Sequence, residues 1–578
     1  MRALSQRVVR VSVVVAALLL VGCASGGRSV GAPGPAPVAG EPAARSAPKV
    51  LVAGMQTDPR AFNTKVARGT SSGPIRGGPE LEWLLNSGLT MVDEKGVMRG
   101  QLAETPPTVE NGGWRLFPDG RMETTWRIRD GAQWHDGTPF TTDDLLFTAT
   151  LVQDPEVAAF RELAYDLIEA VEAPDPRTIT VRWKGPAIEA DRMFSQRLAV
   201  PMPRHLLEPT FLEDKSKFLY MPYWLGEFVG TGPFRLRTWT QGSGVILDAN
   251  PAYVLGKPKI DVIDVRFITD PNTLVSNLFA GSVDLTLGYG LSLEPALQLR
   301  NQWPDGKVEM APNGWIPAHP QFINPKPAAI ADLRFRQALM RALDRQEMTE
   351  TLQSGLVQVA HAFLNPADPD YPAVADRLVR YEYDPSRAIR GLQELGFTRA
   401  DDGAWIDATG EHLTLEIQTV EGLDIQVKAT LAVADAWQRI GIPVQQVVRS
   451  AAGNPDREAN ATFPGFRLIR QPNSIDDMKQ YFAAQVPTPE NRFVGQNFSR
   501  YGNPEYTGLV EHYFRTIPTD ERRRLLGDIV HHQSEQLNIM GLFYNVQSVA
   551  IGKRAQNVTN SGVLGFNQAW NAHEWEVK

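Results

Sequence analysis

Residues 126–140 read WRIRDGAQWHDGTPF. Trp126 and Ile128 alternate with polar neighbours, a period that is typical of a half-buried strand. The two Asp-Gly pairs that follow predict two turns. Directly after this stretch, Thr141 stands three residues before Asp144, which is the spacing of a helix capping box. This part of the chain therefore predicts a strand, two turns and a helix that begins at Thr141.

Strands and helices continue to alternate further along the chain. An alternating run at 262–268 is followed by Asp270-Pro271, a helix start, and then by a second strand at 283–287. This β–α–β order favours a sheet that is at least partly parallel. Three more helix starts are predicted where an aspartate precedes an amphipathic run: Asp332, Asp344 and Asp384. The pattern is that of an α/β protein.

Length and charge limit the function classes. The chain has 578 residues, more than one compact core uses, so at least two lobes are expected. Lys and Arg number 58 and Asp and Glu number 66, which gives a net charge of −8. A nucleic-acid-binding surface needs clustered basic residues, so this acidic balance argues against a nucleic-acid partner.

The N-terminus has the pattern of an export signal. Three arginines precede an apolar run at 11–21, and the only cysteine, Cys23, follows. The run is about half of the ~20 residues that a membrane-spanning helix needs. Residues 20–23, Leu-Val-Gly-Cys, resemble the bacterial lipobox, whose cysteine is acylated and becomes the mature N-terminus. We expect a signal peptide at 1–22 and a lipidated Cys23 that begins a disordered tether, 23–48. The alternative is a secreted protein with a chance cysteine.

Patterns for catalysis or metal binding are weak. The G-x-S-x-G pattern at 69–73 lies in Gly/Pro-rich sequence, whereas a nucleophile elbow needs a strand before it and a helix after it. His531 and His532 are adjacent, so on a helix they point about 100° apart and cannot chelate one metal. No phosphate-binding Gly-Lys loop occurs, so the sequence does not predict an ATPase, and any ATPase that works with this protein is another polypeptide. We expect no catalytic residue, no metal and no cofactor.

Five segments together resemble the extracytoplasmic solute-binding proteins of dipeptide, oligopeptide and nickel ABC importers, solute-binding protein family 5. They are residues 126–140, 230–234 (GTGPF), 280–284 (AGSVD), 334–345 (RFRQALMRALDR) and 383–388 (YDPSRA). Each is short, but they occur in order over most of the chain. The resemblance implies a two-lobed, type II-like periplasmic-binding-protein fold with an extra subdomain in lobe one. It also implies a ligand enclosed between lobes that close on a hinge.

Mapped by order, the resemblance implies boundaries for these parts. Lobe one would comprise 49–88, 228–317 and 548–578, the extra subdomain 89–227, and lobe two 318–547. The implied partners are a small-molecule or peptide ligand, a permease and an ATPase on other chains, and a membrane reached through the lipid anchor. We expect a monomer on the extracytoplasmic side of the cell envelope.

Two functions from different classes remain open. The first is a substrate-binding lipoprotein that captures a peptide or peptide-like solute and delivers it to a permease without catalysis. The second is an envelope lipoprotein with a chaperone or structural role that reuses the same fold. An enclosed, solvated cavity between the lobes would favour transport.

The candidate ligand-binding residues come from one segment in which this sequence differs from the family's usual pattern. Peptide-binding relatives usually carry a Trp-x-x-Asp-like segment in lobe two, whose acid pairs with the peptide amine. The corresponding stretch, 463–474, has no acid before Asp476 and carries Arg467 and Arg470 instead. Guanidinium groups favour carboxylate, phosphate or sulfate, so we expect an anionic or polar-neutral ligand. The alternative is a shifted alignment with both arginines solvated. Three tryptophans near the predicted lobe junctions are either core residues or cleft residues: Trp224, Trp303 and Trp315.

Overall fold

A computed structural model of the chain describes residues 47–70, 77–450, 456–563 and 566–578. The strands of this structure are β1 (Val50–Met55), β2 (Thr90–Val92), β3 (Met98–Gly100), β4 (Trp114–Leu116), β5 (Met122–Arg127), β6 (Ile168–Asp175), β7 (Thr178–Trp183), β8 (Phe234–Thr240), β9 (Gly244–Ala249), β10 (Val262–Phe267), β11 (Leu285–Thr286), β12 (Gly306–Pro320), β13 (Thr398–Arg399), β14 (Trp405–Ile406), β15 (Leu415–Val420), β16 (Val444–Arg449), β17 (Phe466–Leu468), β18 (Met540–Gly552), β19 (Ala555–Gln556) and β20 (Glu576–Val577).

The α-helices are α1 (Thr64–Thr70), α2 (Gly78–Leu85), α3 (Thr142–Gln153), α4 (Arg204–Glu213), α5 (Lys215–Phe218), α6 (Pro271–Phe279), α7 (Leu293–Gln302), α8 (Leu333–Arg341), α9 (Arg345–Gln353), α10 (Tyr371–Val374), α11 (Pro385–Glu394), α12 (Asp424–Arg439), α13 (Arg457–Ala461), α14 (Pro504–Arg515) and α15 (Thr519–Gln536). Among the described residues, none of these helices combines the length and apolar character that a bilayer crossing requires.

Ten strands form one mixed sheet in the order β16-β15-β17-β12-β18-β11-β1-β10-β9-β8. Strand β1 lies between β10 and β11 and pairs in parallel with both. Because β10, α6 and β11 follow one another in the chain, the predicted β–α–β unit and its parallel strands are confirmed. The edge strand β8 pairs antiparallel with β9, which pairs antiparallel with β10.

The predicted helix starts are also confirmed. Thr141 and Asp144 form the capping box of α3. At four further helices an aspartate side chain accepts a hydrogen bond from a backbone N–H of the first turn: Asp270, Asp332, Asp344 and Asp384. Such caps satisfy amide groups that have no partner within the helix.

His135, in the stretch 126–140, has a structural role. Its Nε2 donates to the carbonyl oxygen of Gly232 at 3.0 Å, and its Nδ1 accepts from the backbone N–H of Gly230 at 3.2 Å. Burial lowers the pKa of His135 to about 4, so the ring is neutral at physiological pH. The histidine therefore joins the 126–140 turn to the segment that enters β8.

Two long strands carry the sheet from one half of the molecule to the other. Strands β12 and β18 pair antiparallel, from Gly306 opposite Gly552 to Ala318 opposite Met540. The register shifts twice, between Pro312 and Trp315 and between Ile316 and Pro317. We call the half that contains β1 and β8–β11 lobe one, and the half that contains β15–β17 lobe two. Both register shifts lie where β12 passes from lobe one to lobe two.

The apolar cores follow the same division. One pair of clusters is built from residues 51–303 and 549–575, and another from residues 315–544. Within lobe one, an antiparallel sheet of order β4-β5-β7-β6 forms the extra subdomain together with α3 and α4. The chain thus has the expected two-lobed α/β fold. The residue numbers predicted for the lobe boundaries stay a prediction.

Candidate ligand-binding site

A cavity of about 630 Å³, which we name the arginine cavity, lies between the lobes. Its lobe-two wall includes β17 with the loop that follows, 467–474, and Val420, Glu421, Leu423, Gln426, Gln496 and Phe498. Pro312 and Asn313 lie at the strand crossing. The facing residues are Arg197, Gly562, Val563 and Phe566. The volume lies within the range of small-molecule sites.

Arg467 presents a buried positive charge to the arginine cavity. It is 8 % exposed, its Nη1 donates to the carbonyl oxygen of Asn460 at 2.7 Å, and its guanidinium lies 4.7 Å from the ring centroid of Phe498. Burial and the nearby Arg449 lower its pKa to about 10, so the group stays charged at neutral pH. Among the described residues, no carboxylate forms an ion pair with Arg467. Such a cation favours an anionic ligand group.

Arg470 lines the same cavity and also forms hydrogen bonds with β12 where that strand crosses between the lobes. Its backbone N–H donates to Oε1 of Gln426 at 2.6 Å. Its Nη2 donates to the carbonyl oxygen and Oδ1 of Asn313, at 2.9 and 2.6 Å. Asn313 in turn donates to the Tyr289 hydroxyl of lobe one at 2.5 Å. The structure therefore brings the two predicted arginines together but gives Arg470 a positioning role.

Asn473 adds a hydrogen-bond donor that sequence reasoning did not single out. Its side chain is 4 % exposed, and its Oδ1 accepts from the backbone N–H of Gly314 at 2.9 Å. Its Nδ2 is buried and has no hydrogen-bond partner among the described residues. Buried polar groups are rarely left unpaired, which makes this donor unusual. An asparagine in a loop carries no sequence signal that would have shown this.

A second cavity, of about 460 Å³, adjoins the first and shares Arg197, Ser474 and Val563 with it. We name it the tryptophan cavity, because Trp83 and Trp114 lie in its lobe-one wall. Other lobe-one residues in this wall are Met91, Val92, Met98 and Ile188. The lobe-two wall includes Asp368, Asp370, Ile475, Asp476, Tyr513 and Arg522.

Ion pairs beside the tryptophan cavity join the extra subdomain to lobe two. Nη1 of Arg192 contacts the two carboxylate oxygens of Asp476 at 2.8 and 3.0 Å, and Arg197 pairs with the same carboxylate. Lys479 pairs with Glu189. Burial acts to raise the pKa of Asp476, but Arg192, Arg197 and Lys479 outweigh it and hold that pKa below its usual value. Asp476 is therefore ionised and engaged by the protein's own cations.

Of the three predicted tryptophans, Trp315 lies closest to the site. It is fully buried in lobe two, and its backbone exchanges two hydrogen bonds with Gln471, each of 2.9 Å. Gln471 lines the arginine cavity, whereas the Trp315 side chain packs in the core. Trp315 therefore fixes the loop that carries the arginines.

Trp224 and Trp303 lie elsewhere. Trp224 is 2 % exposed, and its Nε1 donates to the carbonyl oxygen of Phe218 at 2.6 Å within the core of lobe one. Trp303 is buried in another cluster of that lobe. Neither residue lines the arginine cavity or the tryptophan cavity. Their packing favours a structural role, because aromatic side chains contribute most of their energy by burial.

Other candidates from the sequence fall outside the site. Cys23 lies outside the described residues, as do residues 71–73 of the G-x-S-x-G pattern. His531 contacts the carbonyl oxygen of Arg377 at 2.9 Å, whereas His532 contacts a tyrosine hydroxyl at 3.1 Å, so the two rings point apart. Within the described ranges, no group of three or more His, Cys, Asp or Glu is placed to hold a metal ion.

The architecture defines a class, the two-lobed periplasmic binding proteins. An oligopeptide-binding protein from Thermus thermophilus, solved with a pentapeptide, is 23 % identical, with a TM-score of 0.77 over 91 % of this chain and 96 % of that one. AgaA from A. tumefaciens R10, solved with agropinic acid, is 20 % identical, with a TM-score of 0.71 over 92 % of this chain and 99 % of that one. Both likenesses establish the fold.

The family follows from the sequence match. Residues 107–491, about two thirds of the chain, match the bacterial extracellular solute-binding proteins, family 5, and the chain belongs to this family. The oligopeptide-binding protein AppA of Bacillus subtilis (strain 168) is 25 % identical over 476 residues, 80 % of each chain. A putative peptide-binding protein of Brucella ovis is 28 % identical over 291 residues, about half of each chain. The protein is thus a solute-binding protein and not an enzyme.

Proposed function

We propose that this chain is the substrate-binding lipoprotein of an ABC importer, which captures a peptide or peptide-like acid between its lobes and delivers it to a membrane permease. The family membership and the cavity between the lobes support this proposal. The permease and the ATPase are other polypeptides. The protein works on the extracytoplasmic side of the cell envelope, and closure of the lobes on the ligand creates the form that docks on the permease.

The observation that carries the ligand class is the buried guanidinium of Arg467. A cation that is 8 % exposed, and that among the described residues contacts a carbonyl oxygen and an aromatic ring but no carboxylate, gains most from an anionic partner. The unpartnered Nδ2 of Asn473 supplies a second donor in the same cavity. Both groups are hydrogen-bond donors, and a carboxylate is an acceptor. Relatives whose names specify oligopeptides, and AgaA with agropinic acid, are compatible with a ligand that carries a carboxylate.

The carboxylates next to the arginine-bearing loop are engaged by the protein itself. Asp476 is the acid that follows the arginine-bearing loop, and Arg192 and Arg197 already neutralise it. A second carboxylate, that of Asp477, accepts from the backbone N–H of Ser474 at 2.7 Å. We therefore place the ligand's carboxylate, and not its amine, at the anchoring position.

Calorimetry on two variants tests this anchor. Arg467→Ala should weaken binding of the ligand that co-purifies with the protein by ~1.5–3 kcal/mol, because one charge-assisted hydrogen-bonded contact is lost. That corresponds to roughly 10–150-fold in affinity. Arg470→Ala should also weaken binding, through displacement of the 470–473 loop. Panels of tripeptides and of small carboxylates then identify the group that is recognised.

Arg449→Ala is the matched control, since Arg449 acts on Arg467 through its charge but does not line the cavity. It should leave the affinity within about threefold. Micromolar binding of plain tripeptides that is unchanged in both Arg467→Ala and Arg470→Ala would overturn the carboxylate anchor.

The lipid anchor is the second testable part of the proposal. A lone cysteine at the end of an export signal, followed by an Ala/Gly/Pro/Ser-rich segment, motivates acylation of Cys23. Cys23→Ser should release the protein from the membrane fraction or leave it unprocessed, as judged by fractionation and intact mass. A mutant that fractionates with membranes and matures as before would contradict the assignment.

A further inference from the structure

The two cavities form adjoining compartments with different chemistry. Arg197, Ser474 and Val563 line both, so a ligand in one reaches the boundary of the other. The arginine cavity presents hydrogen-bond donors and charge. The lobe-one wall of the tryptophan cavity instead includes, beside polar residues, a group of large apolar and aromatic side chains: Trp83, Met91, Met98 and Trp114.

Several charged groups of the tryptophan cavity are engaged in ion pairs. Asp476 is paired with Arg192 and Arg197. Asp370 is paired with Arg523 at 2.8 Å. Beyond these pairs the cavity offers a ligand its apolar wall, the Nε1 of Trp114 and the carboxylates of Asp191 and Asp368. The Nε1 of Trp114 and the Oδ1 of Asp191 are buried without a hydrogen-bond partner among the described residues.

We propose that the tryptophan cavity is a second compartment of the ligand site, which takes an aromatic or other large apolar group of an acid whose carboxylate lies at Arg467. This inference rests on the proposed function. A volume of about 460 Å³ accommodates such a group. Tryptophan offers a large, rigid contact surface, and methionine adapts its shape to irregular groups, so the wall accepts a class of apolar groups and not one compound.

Matched synthetic probes separate the two compartments. Dansylglycine and dansyl-aminohexanoate carry both an aromatic group and a carboxylate, at two separations. Acetylglycine and acetyl-aminohexanoate carry the carboxylate alone, and dansylamide carries the aromatic group alone. We expect the better dansyl acid to bind at least tenfold more tightly than its acetyl analogue in calorimetry, with enhanced dansyl fluorescence at one site per chain.

Variants then assign the aromatic group to this wall. Trp114→Ala and Met98→Ala, both at partly exposed positions, should weaken the dansyl acid at least threefold and leave the acetyl acid unchanged. Leu116→Ala is the matched control, because Leu116 lies on the same strand as Trp114, is 45 % exposed and does not line the cavity. Two independent variants guard against a folding defect in one of them.

The outcomes distinguish this inference from the proposed function. If the dansyl acids bind no more tightly than the acetyl acids, while acetyl-acid binding still requires Arg467, the second compartment is rejected and the carboxylate anchor stands. If dansylamide binds as tightly as the dansyl acids and depends on Trp114, the anchor is rejected and the compartment stands. Absence of binding by every probe at millimolar concentration would reject both.

Discussion

Two buried ionisable side chains, those of Arg467 and Asp368, form no ion pair among the described residues. Asp368 is 4 % exposed, and its Oδ1 accepts from the backbone N–H of Asp370 at 2.8 Å. Burial raises its pKa from 3.8 to about 6. Such groups persist where a ligand or a conformational change uses them, and both of these residues line the cavities between the lobes.

Asp368 should make stability depend on pH. Because its pKa in the folded protein lies above the unfolded value, the folded form binds the proton more tightly, and stability falls as pH rises from about 4 through 6. The full shift corresponds to at most about 3 kcal/mol. Asp368→Asn keeps the hydrogen bond from Asp370 and removes the charge. It should raise the free energy of unfolding in urea by about 1–3 kcal/mol at pH 7.5 and change it little at pH 4.

The exposed Asp401 provides the control for that measurement. Asp401→Asn should leave the free energy of unfolding within about 0.5 kcal/mol at both pH values. An equal stabilisation by Asp368→Asn at the two pH values would contradict the proposed origin of the effect.

At the scale of elements, the crossing of β12 from one lobe to the other depends on a close approach. Gly314 lies in the register shift of β12 with φ of +82°. A Cβ there would lie 2.6 Å from the carbonyl oxygen of Gln471 and 2.7 Å from Nη2 of Arg470. The glycine therefore lets the arginine-bearing loop pack against the strand, which sets the shape of the arginine cavity.

Gly314→Ala should both destabilise the protein and weaken ligand binding. A left-handed backbone conformation at a residue with a Cβ costs about 1–2 kcal/mol, and the contacts with Gln471 and Arg470 add to that. Gly120→Ala is the matched control, since Gly120 has φ of +85° but nothing within 4 Å of its Cβ position. If the two variants lose the same stability in urea and both bind ligand normally, the close approach has no effect on the site.

At the scale of the whole molecule, the two lobes are joined by more than the strands. Arg192 and Arg197 pair with Asp476 beside the tryptophan cavity, and the backbone N–H of Ile188 donates to the carbonyl oxygen of Phe514 at 3.1 Å. These contacts belong to a form in which the extra subdomain touches lobe two. In this form the charges are paired with one another, so removal of one partner leaves an uncompensated buried charge and disfavours the form.

Hinge closure is the resulting prediction for the molecule. Ligand should decrease the radius of gyration in small-angle scattering, through lobe motions on the μs–ms scale. Asp476→Asn should increase the radius of the ligand-free protein, because Arg192 and Arg197 lose their counter-ion. Asp248→Asn, which removes an ion pair with Arg237 inside lobe one, should not change it. Equal radii for the wild type with and without ligand would indicate a rigid binder.

Much of this protein could be predicted from the sequence because the relevant signals are local. Helix caps such as Asp270 and Asp344, turn residues and the β–α–β order act over a few residues, and all are found in the structure. The five segments in order also predicted the family. Arg467 and Arg470 were found because two arginines replaced an expected acid.

Only the tertiary structure decided which distant residues meet. Arg192 and Asp476 are separated by 284 positions, and Trp83, Trp114 and Tyr513 share a cavity without any common period. Trp224 and Trp303, which the sequence placed near the predicted lobe junctions, pack in cores. Sequence periodicity reports which face of an element is buried. Whether that face meets a core or a cavity depends on how the lobes pack, and this involves contacts that no local pattern encodes.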